Sequence, residues 1–308
     1  MISIVFPAYN EEENVGELHK RTLAVLKSLG EPFEIIAVNN ASTDRTLDEL
    51  KKLSPIKIIS LAYNIGQTAG LDAGIHDAQG EIIITMDADL QNDPADIPEL
   101  VAKIREGYDV VSGWRKDRHD SFSRKLLSRL ANWLTAKVTG LYLHDSACAI
   151  KAYRRDIIQP VHLYGEMHVF LPAYLYMRGA KVAEIPVRHH ARAFGVSKHY
   201  FMKAVKDICD LLTIKFLSSM TGRPLVFFGG AGAAAIFVGM IVGAVSVYLK
   251  LAGLRNFGQT PLPILAVFFI LAGILFFMIG FLAELMLRVY FETNRKTPYI
   301  IKERLETK

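Results

Sequence analysis

The sequence predicts an α/β fold: a doubly wound, mostly parallel sheet followed by a two-helix transmembrane hairpin. Three observations predict it. Short β-branched runs alternate with helical patterns through the first part of the chain, as βαβ units do. Polar clusters follow three of these runs, and parallel strands bring their carboxyl ends to one edge of a sheet. Two uncharged stretches, residues 224–249 and 256–283, lie close together near the end. Each exceeds the roughly 20 apolar residues that a bilayer core of about 30 Å requires.

The elements follow in order. Residues 3–7 are a short apolar strand and 11–29 a helix. Residues 33–39 are the second strand, 46–53 a helix, and 56–61 the third strand. Residues 66–78 read as a helix of small residues, and 81–86 as the fourth strand. A further strand spans 109–112, a polar loop 115–120, a basic helix 122–139 and a late strand 182–188. In residues 200–216, Phe201, Val205, Ile208 and Leu212 fall at helical spacing, with Lys203, Lys206, Asp207 and Asp210 on the other faces. An amphipathic helix directly before a membrane span is expected at the membrane surface. The expected domains are therefore 1–199 as a cytosolic domain, 200–222 as juxtamembrane helices, 223–290 as two membrane helices, and 291–308 as a cytosolic tail.

Orientation rests on charge. The tail carries Arg288, Arg295, Lys296, Lys302, Arg304 and Lys308, against Lys250 and Arg255 in the short connection between the spans. The positive-inside rule puts the tail and the N-terminal domain in the cytoplasm, with the hairpin in the cytoplasmic (inner) membrane. The start Met1-Ile2-Ser3-Ile4-Val5-Phe6 reads as a strand, without the basic segment of a signal peptide. A hydrophobic fraction of 51% and a net charge of +5 fit a membrane-associated domain that handles phosphates. No Lys/Arg run is interleaved with aromatic residues, which argues against nucleic acid as a partner. Cys148 and Cys209 match no metal or disulfide spacing.

The chemistry is concentrated at the strand ends. Ile82-Ile83-Ile84-Thr85 leads into Asp87-Ala88-Asp89-Leu90-Gln91, so two carboxylates and an amide oxygen leave the end of one strand. Hard oxygen ligands of this kind suit Mg²⁺ or Mn²⁺ on a diphosphate. The clusters Pro7-Ala8-Tyr9-Asn10-Glu11-Glu12 and Asn39-Asn40-Ala41-Ser42-Thr43-Asp44 should converge on the same edge. Glu11 and Glu12 either line that edge or cap the helix that follows. Cations come from Arg115, Lys116 and Arg118, from Arg124, Lys125 and Arg129, and from Arg188-His189-His190-Ala191-Arg192 leading to Ser197 and Lys198. Guanidinium groups clamp phosphate oxygens well. Within the spans, Ala235, Gly239 and Gly243 recur every four residues, a spacing for close helix packing or oligomerisation.

Together these runs resemble family-two glycosyltransferases of GT-A fold, in the polyprenyl-phosphate branch that includes dolichol-phosphate mannosyltransferases and bacterial bactoprenol glucosyltransferases. The carriers are Phe6 to Glu12, Asn39 to Asp44, Asp87 to Pro94, Val111-Ser112-Gly113-Trp114-Arg115, and Gly195-Val196-Ser197-Lys198. Arg288 to Thr293 and Pro298-Tyr299-Ile300-Ile301 add to them. The resemblance implies that Pro7, Tyr9, Glu11, Asn39, Asn40, Asp44 and Asp87 line a nucleotide-sugar pocket, and that Asp87, Asp89 and Gln91 hold Mg²⁺ or Mn²⁺. It implies that Arg115, Arg118, Arg124, Arg192, Ser197 and Lys198 bind the phosphate of a polyprenyl phosphate lipid. Asp145 stands as either a general base or an orienting group for Arg side chains. A homo-oligomer, with a tetramer plausible, follows from the family habit.

One departure stands out. The family carries an acidic residue, then Gly, where this chain has Asn40-Ala41. That leaves UDP or GDP as the donor nucleotide and the sugar itself open. Two other readings compete. A processive polysaccharide synthase needs more spans and a Gln-x-x-Arg-Trp motif, neither of which is present. A non-catalytic nucleotide-sugar-binding scaffold has no need of the Asp87, Asp89 and Gln91 set.

Overall fold

The computed structural model describes residues 1–116, 135–137, 139–163, 165, 167–190, 224–293 and 301–307. The expected helices at 122–139 and 200–216 fall largely or wholly outside the described residues, as do Arg118, Arg124, Lys125, Arg129, Arg192, Ser197, Lys198 and Cys209. The chain divides into two units. One comprises Met1–Lys215 with Thr297–Lys308, the other Phe216–Lys296.

The first unit is built on one mixed sheet of eight strands. In sequence they are β1 Ile2–Ala8, β2 Phe33–Asn39, β3 Ile56–Leu61, β4 Ile82–Thr85, β5 Val110–Trp114, β6 Lys151–Arg154, β7 Val182–Pro186 and β8 Ile301–Thr307. Their spatial order is β7-β5-β6-β4-β1-β2-β3-β8. Strands β1 to β4 pair in parallel, and β5 pairs in parallel with β7. Only β6 and β8 run antiparallel to their neighbours. The central strands read as unbroken apolar runs because both faces are buried. Phe6, Ile35 and Ile84 belong to the core on one face, and Val5, Ile36 and Ile83 to the core on the other.

Helix α1 (Val15–Leu29) buries Val15, Leu18, Thr22 and Leu26 and stops at Gly30, whose φ of 66° places it in the left-handed region. After the short α2 (Thr46–Lys51) comes α3 (Gln67–Asp77), the small-residue helix. Its composition has a steric cause. A Cβ on Gly74 lies 2.3 Å from Val5 Cγ1, and one on Gly70 lies 2.9 Å from Pro7 Cβ, so α3 rests directly on β1 and β2. Helices α4 (Ile97–Arg105), α5 (Arg155–Ile158) and α6 (Met167–Met177) complete this unit among the described residues.

Residues 33–39 and 56–61 are strands with the bounds the sequence predicts. The late strand is shorter, ending at Pro186 rather than at residue 188. Part of the tail, 301–307, is more than a tail: it is β8, paired with β3 from Ile56↔Thr307 to Leu61↔Ile301. It covers an edge that would otherwise present unpaired N–H and C=O groups.

The second unit is a helical hairpin, α7 (Pro224–Leu251) and α8 (Leu262–Thr293). At 1.5 Å per residue each exceeds 40 Å, about enough to cross a bilayer. The uncharged run that starts at residue 256 begins in the turn, which holds a short 3₁₀ segment at Phe257–Gln259. The helices meet through glycine. A Cβ on Gly273 lies 2.6 Å from the Gly232 carbonyl oxygen, and one on Gly239 lies 3.0 Å from the Ala266 carbonyl oxygen. The small residue Gly239 is thus used for packing within the hairpin. Backbone cannot yield as a side-chain tip can, so Gly273→Val forces the helices apart. Overpacking of this kind costs about 1–3 kcal/mol. The expected result is a lower unfolding temperature in detergent and weaker disulfide cross-linking between cysteines placed on α7 and α8, whereas Gly230→Val, with open space around it, changes neither.

Candidate active site

Strand β1 lies between β4 and β2, so the loops that leave these three strands are neighbours. The register aligns Ala8 with Asn39 and Val5 with Thr85. The chain leaves β1 toward β2 and β3 on one side, while β4 lies on the other. Such a reversal of strand order opens the crevice where open α/β sheets bind ligands. The first three sequence-predicted clusters therefore meet at one edge.

Backbone strain marks the same edge. Among the described residues, three non-glycine residues have left-handed φ: Asn10 at 56°, Ala41 at 54° and Leu90 at 61°, one in each loop. Strain of this kind collects at binding sites, where surrounding contacts impose it. The contacts are visible for Asn10. Its Oδ1 accepts from Thr43 N at 2.8 Å, its Nδ2 donates to Thr43 Oγ1, and its N–H donates to Ser42 Oγ. Ala41 gains nothing from a side chain in that conformation. Ala41→Gly removes the Cβ conflict at some cost in unfolded-chain entropy, and a net stabilisation of about 1 kcal/mol is expected. Equilibrium unfolding of the variant in detergent measures it.

Asn39 and Asn40 are buried and engaged by their neighbours. Asn39 Nδ2 donates to Ser60 Oγ at 2.9 Å, and its Oδ1 accepts from Ser42 N. Asn40 Nδ2 donates to Asn64 Oδ1 at 3.0 Å and to the Gly66 carbonyl at 2.9 Å. A carboxylate at position 40 has no hydrogen to give these two oxygens. Asn is therefore matched here to a loop, residues 64–66, that leads into α3. Asp44 is likewise engaged: its Oδ1 accepts from Thr46 N and Oγ1, and its Oδ2 from Glu12 N. Glu11 accepts from Asn14 Nδ2 at 2.6 Å, and its carbonyl receives the N–H groups of Asn14 and Val15. It thus sits at the start of α1 as well as in the first loop.

The loop after β4 carries Asp87, Asp89 and Gln91. Asp89 is 5% exposed, and its Oδ1 accepts from Gln91 N at 3.1 Å, closing the turn around Leu90. Gln67, the first residue of α3, donates through Nε2 to Asp87 Oδ1. The donor set fits a hard divalent cation: two carboxylates and an amide oxygen on one tight turn. On the far side of this loop, His190 N donates to the Gln91 carbonyl, and Asn92 and His189 form an antiparallel bridge. Arg188 N donates to Asp96 Oδ2 at 2.8 Å. The basic segment therefore passes beside the carboxylate loop before it reaches Arg192, Ser197 and Lys198, which lie outside the described residues.

Arg115 and Asp145 are brought together in a fork. Arg115 Nε donates to Asp145 Oδ2 at 2.6 Å and Nη2 to Oδ1 at 2.9 Å. Both side chains are nearly buried. Burial opposes the Arg115 charge, but the Asp145 carboxylate outweighs it and raises the guanidinium above its ordinary value. Asp145 is itself held in place: its N–H and that of His144 donate to the two oxygens of Glu184, on β7. The His144 ring stacks on Trp114 with centroids 4.2 Å apart.

Three site-lining residues escape sequence reasoning: Gln67, Lys151 and His168. With Asp87 they line one pocket beneath the carboxylate loop. Lys151 had a signal, since a lysine within Ile150-Lys151-Ala152-Tyr153 interrupts an apolar run and lysine is almost never fully buried without partners. Its Nζ donates to the Ser146 and His168 carbonyls, each at 3.1 Å. Burial lowers it from 10.5 to about 8. Between these values the unfolded chain holds a proton that the folded chain does not, so stability rises with pH in that window. Cys148 acts with the opposite sign. Burial pushes its thiol from 9.0 to about 12, so above about 9 the folded chain keeps a proton that the unfolded one loses. The net gain from these two groups is confined to about pH 8–9. The expected unfolding temperature rises across that interval in the parent protein relative to Lys151→Met, and a series of thermal melts in detergent checks the slope.

Comparison with known proteins agrees with this architecture. The model of the family described as glycosyl transferase family 2 matches residues 3–161. A dodecaprenyl-phosphate galacturonate synthase of Rhizobium johnstonii is 38% identical over 315 residues, covering 98% of this chain and 92% of that protein. An undecaprenyl-phosphate 4-deoxy-4-formamido-L-arabinose transferase of Salmonella paratyphi A is 35% identical over 308 residues, covering 98% and 93%. Among solved structures, glucosyl-3-phosphoglycerate synthase from Mycobacterium tuberculosis, in complex with Mn²⁺, UDP and glucosyl-3-phosphoglycerate, aligns with a TM-score of 0.55. It is 18% identical, and the alignment covers 71% of this chain and 79% of that one, a likeness of fold. With a family match across the whole strand-end constellation and relatives alike along nearly its full length, the chain belongs to glycosyl transferase family 2.

Proposed function

We propose that this chain transfers a sugar from a nucleoside-diphosphate sugar to a membrane polyprenyl phosphate, giving a polyprenyl-monophosphate sugar. The observation that carries the reading is the full-length likeness to two polyprenyl-phosphate sugar transferases, which extends through both the sheet domain and the apolar hairpin. A lipid of many isoprene units stays in the bilayer, so its phosphate must be met at the surface. The two long apolar helices supply the anchor. Because β8 follows the second helix yet pairs with β3, the chain returns to the side it left, as two crossings require. With the basic residues of the tail, this favours a cytoplasmic domain on an inner membrane.

In this reading the acceptor phosphate oxygen attacks the anomeric carbon, the bond to the diphosphate breaks, and nucleoside diphosphate leaves with inversion. A phosphate monoester has a second pKa of about 6 and is largely a dianion at neutral pH. No side chain needs to take a proton from it. The protein's task is to orient two anions and exclude other nucleophiles. Asp87, Asp89 and Gln91 would hold Mg²⁺ or Mn²⁺, which neutralises charge developing on the leaving diphosphate. Gln67 fixes Asp87. Pro7, Tyr9 and Glu11, on the adjacent β1 loop, and Asn39, Asn40 and Asp44 shape the nucleotide side. Arg115, held by Asp145, would bind the acceptor phosphate together with Arg118, Arg124, Arg192, Ser197 and Lys198.

The test uses the full chain in detergent with undecaprenyl phosphate and a panel of UDP- and GDP-sugars, assayed as lipid-extractable sugar with Mg²⁺, Mn²⁺ or EDTA. Transfer from one donor, abolished by EDTA, is the expected result. Nucleotide-sugar binding without transfer from any donor overturns it in favour of a binding scaffold.

A further inference from the structure

Away from the strand-end loops, one cluster of three side chains holds three buried polar atoms without hydrogen-bond partners. They are Asp72 Oδ2, His76 Nε2 and His162 Nδ1. Asp72 and His76 lie one turn apart on α3, and His162 lies in the irregular segment after α5. Asp72 is completely buried, and each imidazole keeps part of its surface in solvent. Isolated, this arrangement is costly. A buried carboxylate oxygen without a donor carries its full desolvation penalty. Asp72 Oδ2 has only the His162 ring at 3.7 Å, too long for a hydrogen bond.

The remaining atoms of the cluster are arranged as supports. His76 Nδ1 lies 2.8 Å from the Asp72 carbonyl oxygen, which fixes the proton on Nδ1 and leaves the Nε2 lone pair available. Asp72 Oδ1 accepts from Leu163 N at 2.7 Å, which leaves Oδ2 as the oxygen without a donor. Metal-binding histidines and carboxylates are held by this kind of outer contact. One ligand atom from each of the three residues lies within 4.8 Å of the others.

We propose that Asp72, His76 and His162 form a site for a divalent first-row transition metal, with Zn²⁺ favoured, separate from the carboxylate loop. Two imidazoles and one carboxylate suit such an ion better than Mg²⁺, which prefers oxygen and water. Water would supply the fourth ligand, as in other sites with three protein ligands. The two rings are stacked, with centroids 4.3 Å apart and planes within 6°. Their lone pairs lie in parallel planes, so an ion with bonds of about 2.1 Å draws the ligand atoms together through rotation of at least one ring. His162, in an irregular segment, is the ring positioned to turn. His76 stands nine residues beyond Gln67 on α3, about 13 Å of helix from the catalytic edge. The ion would clamp α3 to the segment before α6, and it takes no part in transfer.

The test uses the full chain, without a polyhistidine tag, stripped of metal and titrated with Co²⁺ in detergent. The parent protein is expected to bind one Co²⁺ with visible ligand-field bands of nitrogen coordination. Zn²⁺ should displace it and excess Mg²⁺ should not, following the affinity order for such ligands. Asp89→Asn should retain the bands, whereas His162→Ala and Asp72→Asn should lose them. Asn at 72 keeps the acceptor for Leu163 N, so loss there is not a folding effect. Absence of bands in the parent, or the same bands and stoichiometry in His162→Ala, overturns the site. Because the readout needs no nucleotide-sugar or lipid, it stands apart from the transfer assay.

Discussion

Asp89→Asn is expected to lower sugar transfer by about two to three powers of ten while the protein stays folded and membrane-bound. The magnitude is that of removing one preorganised charge-stabilising group, about 3–4 kcal/mol at 1.36 kcal/mol per decade. The choice of Asn is deliberate. Asp89 Oδ1 accepts from Gln91 N and closes the left-handed turn at Leu90. An amide oxygen can keep that bond, so the loop retains its shape while a negative charge is lost. Asp89→Ala removes both and confounds them. Mn²⁺ titration separates the effects: the Asn variant should need much more Mn²⁺ for its residual rate, with nucleoside diphosphate binding weakened in parallel. Transfer within tenfold of the parent, at the same Mn²⁺ dependence, removes Asp89 from the metal site.

The carboxylate loop was legible in the sequence because its signal is local. An apolar β-branched run followed by Asp-x-Asp marks a strand, its end and the carboxylates that leave it within ten residues. The convergence of the three loops was legible too, since parallel strands allow little else. What local patterns do not encode is long-range. Strand β6 is four residues long, ends in Arg154, and runs antiparallel between β4 and β5. Nothing in Lys151-Ala152-Tyr153-Arg154 by itself distinguishes it from a loop. Strand β8 exists through its pairing with β3, since Ile301 to Thr307 has only two apolar residues, Ile301 and Leu305, and three charged ones in a row between them, with no alternation to mark a strand. Helix α6 contains Pro172 and is apolar on most sides, so it has no helical stripe to read. Site residues follow the same rule. Gln67 and Lys151 matter through the side chains that fold against them, and only the oddity of a lysine in an apolar run points to one of them. The Asn39-Asn40 departure, opaque as sequence, becomes intelligible once Asn40 is seen donating to both Asn64 and Gly66.

The second large effect is expected at Asp145, and it separates the two roles open to that carboxylate. Its oxygens are committed to Arg115 in a nearly buried fork. Asp145→Ala leaves a buried guanidinium without its counter-charge, a loss of about 3–5 kcal/mol of stability. If Asp145 acts by holding Arg115, the damage is coupled. Adding Arg115→Met to Asp145→Ala removes the orphaned charge and should restore much of the stability, yet transfer should remain as low as in Arg115→Met alone. The double-mutant cycle then shows strong non-additivity in both stability and rate. A general base predicts otherwise. Asp145→Asn would then abolish transfer at every pH, and the two substitutions would lower the rate independently. For a positioning role, Asp145→Asn keeps one acceptor for Arg115, so transfer falls in KM for the lipid phosphate more than in kcat. The acceptor's own ionisation, near pH 6, should persist as the acidic limb of the rate profile in that variant. The chemistry of the acceptor favours this outcome: a dianion needs a cation held still, and the Glu184 contacts to His144 and Asp145 hold that cation's partner to the sheet.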